Sequence, residues 1–99
     1  MLKQVHLYIK GRVIGVGFRA WTKFQAKLLG IRGWVKNVYD KPEIFGEGGG
    51  VESIIQGEES KIEKMVELLK KGPPLAHVES VEICWEDPKE LFSKFEIIR

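Results

Sequence analysis

Ninety-nine residues, 43% of them hydrophobic and 30% charged, carry enough apolar material for one ordinary core and are neither disordered nor low in complexity. Sixteen basic residues against fourteen acidic ones leave a formal charge of +2, too small to imply a nucleic-acid or membrane surface. No apolar run approaches the ~20 residues of a bilayer crossing, no signal-peptide core opens the chain, and the single Cys84 closes no internal disulfide, so the expectation is one domain over residues 1–99 in the cytoplasm.

Residues 3–10 alternate, with Val5, Leu7 and Ile9 against Gln4, His6, Tyr8 and Lys10, which predicts a half-buried strand. A stretch punctuated by Gly11, Gly15 and Gly17 follows. From Phe18 the period lengthens: Trp21, Phe24 and Leu28 recur at helical spacing, a stripe expected to face the core, and Gly30 ends the helix. Ile31 to Asn37 reads as a second strand. Tyr39 to Gly50, with Pro42 and four glycines, reads as loop, and Val51 to Gln56 as a third strand. Ser60 and Glu63 have the spacing of a capping box ahead of the apolar stripe Ile62, Met65, Val66 and Leu69. Gly72-Pro73-Pro74 stops that helix, Val81, Ile83 and Trp85 alternate in a fourth strand, and Phe95 and Ile97 mark a short last one. The order is β-α-β-β-α-β, the last strand coming after a small insertion. It predicts an α+β sandwich of the ferredoxin-like plan, two helices on one face of a mostly antiparallel sheet.

The stretch Gly11 to Arg19 joins a strand to a helix, and its glycines allow a tight turn with the backbone N–H groups pointing inward. Orphan amides and the helix dipole make such a turn a ready anion site. Arg19 falls in the first helical turn, where the dipole disfavours a cation, so its placement needs another reason. A bidentate grip on a phosphate held by the same amides supplies one; a plain glycine-rich turn is the alternative. The nucleotide patterns GxGxxG and GxxxxGK[ST] are not matched.

Other chemistry-bearing residues stand alone. His6 lies on the polar face of the first strand, and His77-x-Glu79 supplies two ligand types at most, so no metal site is expected. Cys84 has no adjacent His and reads as an inert thiol. Trp34 and Tyr39 bracket Asn37 and either wall a substrate site or pack on the sheet. Asn37 is the chain's single asparagine, and Lys/Glu richness with so few amides resembles heat-adapted composition.

Gly11-Arg12-Val13-Ile14-Gly15-Val16-Gly17-Phe18-Arg19 resembles the acylphosphatase signature G-R-V-Q-G-V-x-F-R. Gly33-Trp34-Val35-Lys36-Asn37 is similar to that family's second motif, whose tail G-x-V-x5-G is found in Gly49 to Gly57. The resemblance spans nearly the whole chain. Two departures stand out: Ile14 replaces the usual Gln, and eleven residues, Val38 to Gly48, separate Asn37 from Gly49 where the family has three. An insertion of that length has room for a lid, a partner contact or an exchanged strand.

The resemblance implies hydrolysis of the carboxyl–phosphate anhydride without metal or cofactor. Carried over, the amides of Gly15, Val16, Gly17, Phe18 and Arg19 bind the phosphoryl oxygens, the Arg19 guanidinium is the fixed positive partner, and Asn37 orients the attacking water. The partners expected are a small acyl phosphate and inorganic phosphate, product and inhibitor, with no nucleic acid or membrane. A monomer is expected, a loop-mediated dimer being the alternative. The competing functional reading is an anion- or nucleic-acid-binding module on the same fold without turnover, against which stands the lack of a basic-aromatic RNP pattern.

Overall fold

Period-two patterning in β1 (Leu2–Arg12) sends Val5, Leu7 and Ile9 to one side, where all three are fully buried. The computed structural model describes every residue from Met1 to Arg99. After β1 come α1 (Phe18–Leu29), β2 (Arg32–Val38), the short α2 (Pro42–Phe45), β3 (Gly50–Glu58), α3 (Glu59–Lys71), β4 (His77–Glu86) and β5 (Phe95–Ile97). The strands lie in the order β4-β1-β3-β2-β5. All neighbours are antiparallel except β5, which runs parallel to β2 with Phe95 opposite Gly33 and Ile97 opposite Val35. The predicted ferredoxin-like sandwich is thus present, with α1 and α3 covering the sheet face that carries Val5, Leu7, Ile9, Val35, Val51 and Ile55.

The apolar stripe of α3 is the predicted one, Ile62, Met65, Val66 and Leu69, all buried. In α1 the expected stripe is displaced. Phe24 and Leu28 are 59% and 66% exposed, and the buried line is Phe18, Thr22 and Ala26, with Trp21 and Leu29 at its flank. Phe18 decides this, because the turn before it drops its ring into the core and fixes the helix's rotation. Thr22 is tolerated there because its hydroxyl donates to the Phe18 carbonyl at 2.7 Å.

The capping box is also corrected. β3 runs straight into α3, so Glu58 is the N-cap and Ser60 already lies inside the helix, with no side-chain cap bond. Glu59 in the first turn and Lys70 and Lys71 in the last complement the helix dipole instead. Ile83 and Trp85 alternate as expected, but on the edge strand they border an open groove beside Glu63, Val66 and Lys70 of α3 and are 36% and 51% exposed.

The opposite sheet face is not open. From β4 at one edge the chain crosses beneath the sheet to β5 at the other, stapled on the way by Gln56. Its amide nitrogen donates to Gln4 Oε1 and to the Glu90 carbonyl, both at 2.8 Å, and its oxygen accepts from the Phe92 N–H at 3.2 Å. This crossing is what brings β5 alongside β2.

The segment read as loop between Tyr39 and Gly50 contains α2 and folds onto the same face. There Phe45 meets the Tyr8 ring at 6.0 Å and Lys41 Nζ lies 3.6 Å from Glu52 Oε1. Glu52 is 4% exposed, and His6 Nε2 lies 2.5 Å from its other oxygen, a cross-strand pairing that spacing along the chain conceals.

Burial under this cover, and then the Glu52 carboxylate, push the Tyr8 phenol above its ordinary value of 10.0. The proton is therefore held more tightly in the folded state than in the unfolded one. Stability from this group is intact below pH 10 and is lost as pH rises through the folded value. Tyr8→Phe is expected to flatten that loss, seen as a smaller fall in urea midpoint between pH 9 and pH 11 than the parent shows.

Candidate active site

The chain leaves β1 at Arg12, turns through Gly15 and Gly17, and enters α1 at Phe18. Gly15 and Gly17 both adopt left-handed backbone, φ 79° and 77°, which an L side chain adopts only with strain. Gly17 is the N-cap of α1, its carbonyl accepting from the Trp21 N–H at 3.0 Å. The amides of Phe18, Arg19 and Ala20 consequently have no intrahelical acceptor. Those of Gly15, Val16 and Gly17 donate to no backbone carbonyl either. A run of free donors at the positive end of a twelve-residue helix results.

These donors border a cleft of about 160 Å³. Gly15, Gly17, Phe18 and Arg19 form one wall, and Asn37, from the end of β2, stands in another. Two residues 18 apart in sequence are thus brought to one cavity by the α1 crossover, which lays β2 alongside β3. The Val16 side chain does not line the cleft but packs against the core, leaving its backbone as its only link to the site. Arg19 forms no ion pair, the protein's salt bridges all lying elsewhere. Asn37 Nδ2 donates to the Tyr39 hydroxyl at 3.1 Å. Trp34 points the other way: its ring meets His6 edge-on at 6.0 Å and sits under Lys36 Nζ at 5.4 Å, so it packs on the sheet and takes no part in the cleft.

With Val13 and Ala20 also in its walls, Ile97 and Arg99 complete the lining. Neither was among the sequence-derived candidates, and no local signal marks them, since they reach the site only through the parallel pairing of β5 with β2. Arg99 brings a second guanidinium to the cleft: neither Arg19 nor Arg99 has an ion-pair partner, and no Asp or Glu side chain lines it. Such a cavity suits a multiply charged tetrahedral oxyanion, gripped by planar forks and backbone N–H groups together.

An α+β sandwich whose first strand-to-helix turn sets free backbone amides beside two guanidiniums has the donors that an oxyanion-binding protein needs. The family follows from comparison with known proteins. The sequence model of the acylphosphatase family matches residues 5–97. An acylphosphatase of Pyrobaculum islandicum is 43% identical over 95 residues, covering 96% of this chain and 93% of the relative, and one of Syntrophobacter fumaroxidans is 42% identical over 95 residues, covering 96% and 90%. The crystal structure of the Bacillus subtilis acylphosphatase superposes over 100% of both chains with a TM-score of 0.86 at 31% identity. The chain belongs to the acylphosphatase family. It is an enzyme that hydrolyses the carboxyl–phosphate bond of acyl phosphates to a carboxylate and inorganic phosphate.

Proposed function

We propose that the amides of Gly15 to Arg19 and the Arg19 guanidinium hold the phosphoryl group while Asn37 orients the attacking water in line with the departing carboxylate. The observation that carries this reading is that Arg19, the glycine turn and Asn37 border one cleft of about 160 Å³. Little else is required of the protein. The leaving group is the anion of an acid with pKa near ~4, so no strong general acid is needed. Phosphoryl transfer is chiefly positioning and charge stabilisation, and the dianionic phosphoryl oxygens can take the proton of the water.

Inorganic phosphate fits the same cradle as the group it replaces and acts as a competitive product inhibitor. The protein works as a cytoplasmic monomer. The insertion between β2 and β3 lies on the sheet face away from the helices, with Phe45 against Tyr8, and this favours a covering role for it over a lid on the cleft.

Asn37→Ala tests the division of labour. Benzoyl phosphate hydrolysis is expected to lose about 10²-fold in kcat, the scale of a positioned proton-handling group, while the inhibition constant of phosphate stays within about twofold. A folded Asn37→Ala protein with the parent's kcat would falsify the water-orienting role.

A further inference from the structure

The two departures from the family signature meet in space. Gly49, which closes the insertion, has Ile14 of the phosphate turn and Tyr39 of the insertion at its side: a Cβ built on it would lie 3.1 Å from Ile14 Cδ1 and 3.5 Å from Tyr39 Cδ1. Tyr39 thus lies across Gly49 from Ile14, and its hydroxyl accepts from Asn37 Nδ2 at 3.1 Å. The ring is 68% exposed, so Tyr39 is not held there as part of the core. We propose that Tyr39 is a positioning residue for the hydrolytic water, acting through Asn37. The inference rests on the water-orienting reading of Asn37.

A carboxamide has a donor end and an acceptor end, and its terminal torsion is broad and two-fold, so an untethered Asn presents either end to the cleft. The two ends have opposite consequences. When Oδ1 faces the water it accepts a water hydrogen, leaving the lone pair of the water oxygen free for phosphorus. When Nδ2 faces the water it takes up one of the two lone pairs of the water oxygen and draws electron density from the nucleophile. The Tyr39 hydroxyl accepts from Nδ2, and with the amide held that way Oδ1 is the free end. Asp or Glu in place of the hydroxyl would accept the same bond only by adding negative charge beside an anionic substrate. Tyr39 in turn is fixed from both directions: Val38 before it pairs with Gly50, and Lys41 after it reaches Glu52 at 3.6 Å.

Tyr39→Phe keeps the ring and removes the bond. On benzoyl phosphate its kcat is expected to fall about fivefold, the scale of one hydrogen bond, with the phosphate inhibition constant unchanged. In an Asn37→Ala background the same substitution should cost nothing further, because the amide it holds is gone. Asn37 is the chain's single asparagine, so its side-chain NH₂ pair is assignable by ¹⁵N NMR and should shift in Tyr39→Phe. Full kcat in Tyr39→Phe alongside a crippled Asn37→Ala, or an equal loss in both backgrounds, overturns the inference alone. Full kcat in Asn37→Ala, with the NH₂ resonances still moving in Tyr39→Phe, overturns the water-orienting reading and this inference together.

Discussion

Arg19→Ala is expected to lower kcat/KM for benzoyl phosphate by about 10²–10³-fold, the loss seen when one preorganised charge-stabilising donor is removed from an active site. The same substitution should abolish inhibition by millimolar phosphate, because in the proposed site the guanidinium holds ground-state and transition-state oxyanions alike. Thermal stability separates this role from a structural one. Arg19 forms no ion pair, and it places a cation at the positive end of α1, where the helix dipole opposes it. Deleting the charge should therefore leave Tm unchanged or raise it slightly while activity collapses. A loss of activity accompanied by a large fall in Tm would mean that Arg19 supports the fold and not the phosphate. Arg19→Lys should sit between the two proteins, since it keeps the charge but not the planar fork that reaches two oxygens at once.

The unfavourable placement of Arg19 is legible in the sequence, and so are most of the residues proposed for the site. A cation in a first helical turn after a glycine turn is a local contradiction, and the proposed grip on a phosphate resolves it. Asn37 was legible only through its motif, because an asparagine at a strand end is by itself an ordinary turn residue. What could not be read were the members of the cleft that arrive by topology. Arg99 enters through β5, whose parallel pairing with β2 is fixed by a crossing under the sheet that depends on the Gln4–Gln56 amides. Nothing in the spacing of Arg99 announces this.

The fold was legible where one face of an element carries all the apolar residues, as in β1 and α3. It was misread where larger side chains lie on the wrong face. In α1, Phe24 and Leu28 outweigh Thr22 and Ala26 in hydrophobicity, yet the smaller pair is buried. The helix approaches the sheet along the line set by Phe18, and residues of modest volume fit beneath it. Sequence periodicity measures hydrophobicity and is blind to that limit. The capping box failed for a related reason: the spacing of Ser60 and Glu63 is right, but the strand ends at Glu58 and leaves no loop in which Ser60 could stand before the helix. The insertion was recognisable as extra, but its docking on the far sheet face depends on Glu52, which looks like one more surface carboxylate until β1 and the insertion close over it.

Gly33→Ala should be the most damaging single-methyl change outside the cradle. Gly33 adopts φ 138° near the start of β2, and a Cβ there would overlap the carbonyl oxygen of Ile54 and lie 2.9 Å from its carbonyl carbon and 3.3 Å from Ile55 Cα. All three obstacles are backbone of the neighbouring strand, so no side-chain rotation relieves the clash. β2 must either move off β3 or strain further. A residue forced into positive φ costs about 1–3 kcal/mol, and overpacking a tight site costs a similar amount. The sum, about 4 kcal/mol, is a large share of the 5–15 kcal/mol that holds an ordinary domain together. The urea midpoint should fall accordingly with little change in slope, while Gly48→Ala, where φ is not positive and a Cβ meets nothing within 4 Å, should leave it unmoved. Activity should suffer even in the fraction that stays folded, because Asn37 sits four residues further along the same strand and moves with it. The second motif's opening glycine is thus explained by close strand approach, at a distance from the phosphate: it fixes how tightly β2 lies on β3, and that fixes where the carboxamide ends up. A Gly33→Ala protein with the parent's midpoint and kcat would show instead that β2 can shift without moving the site.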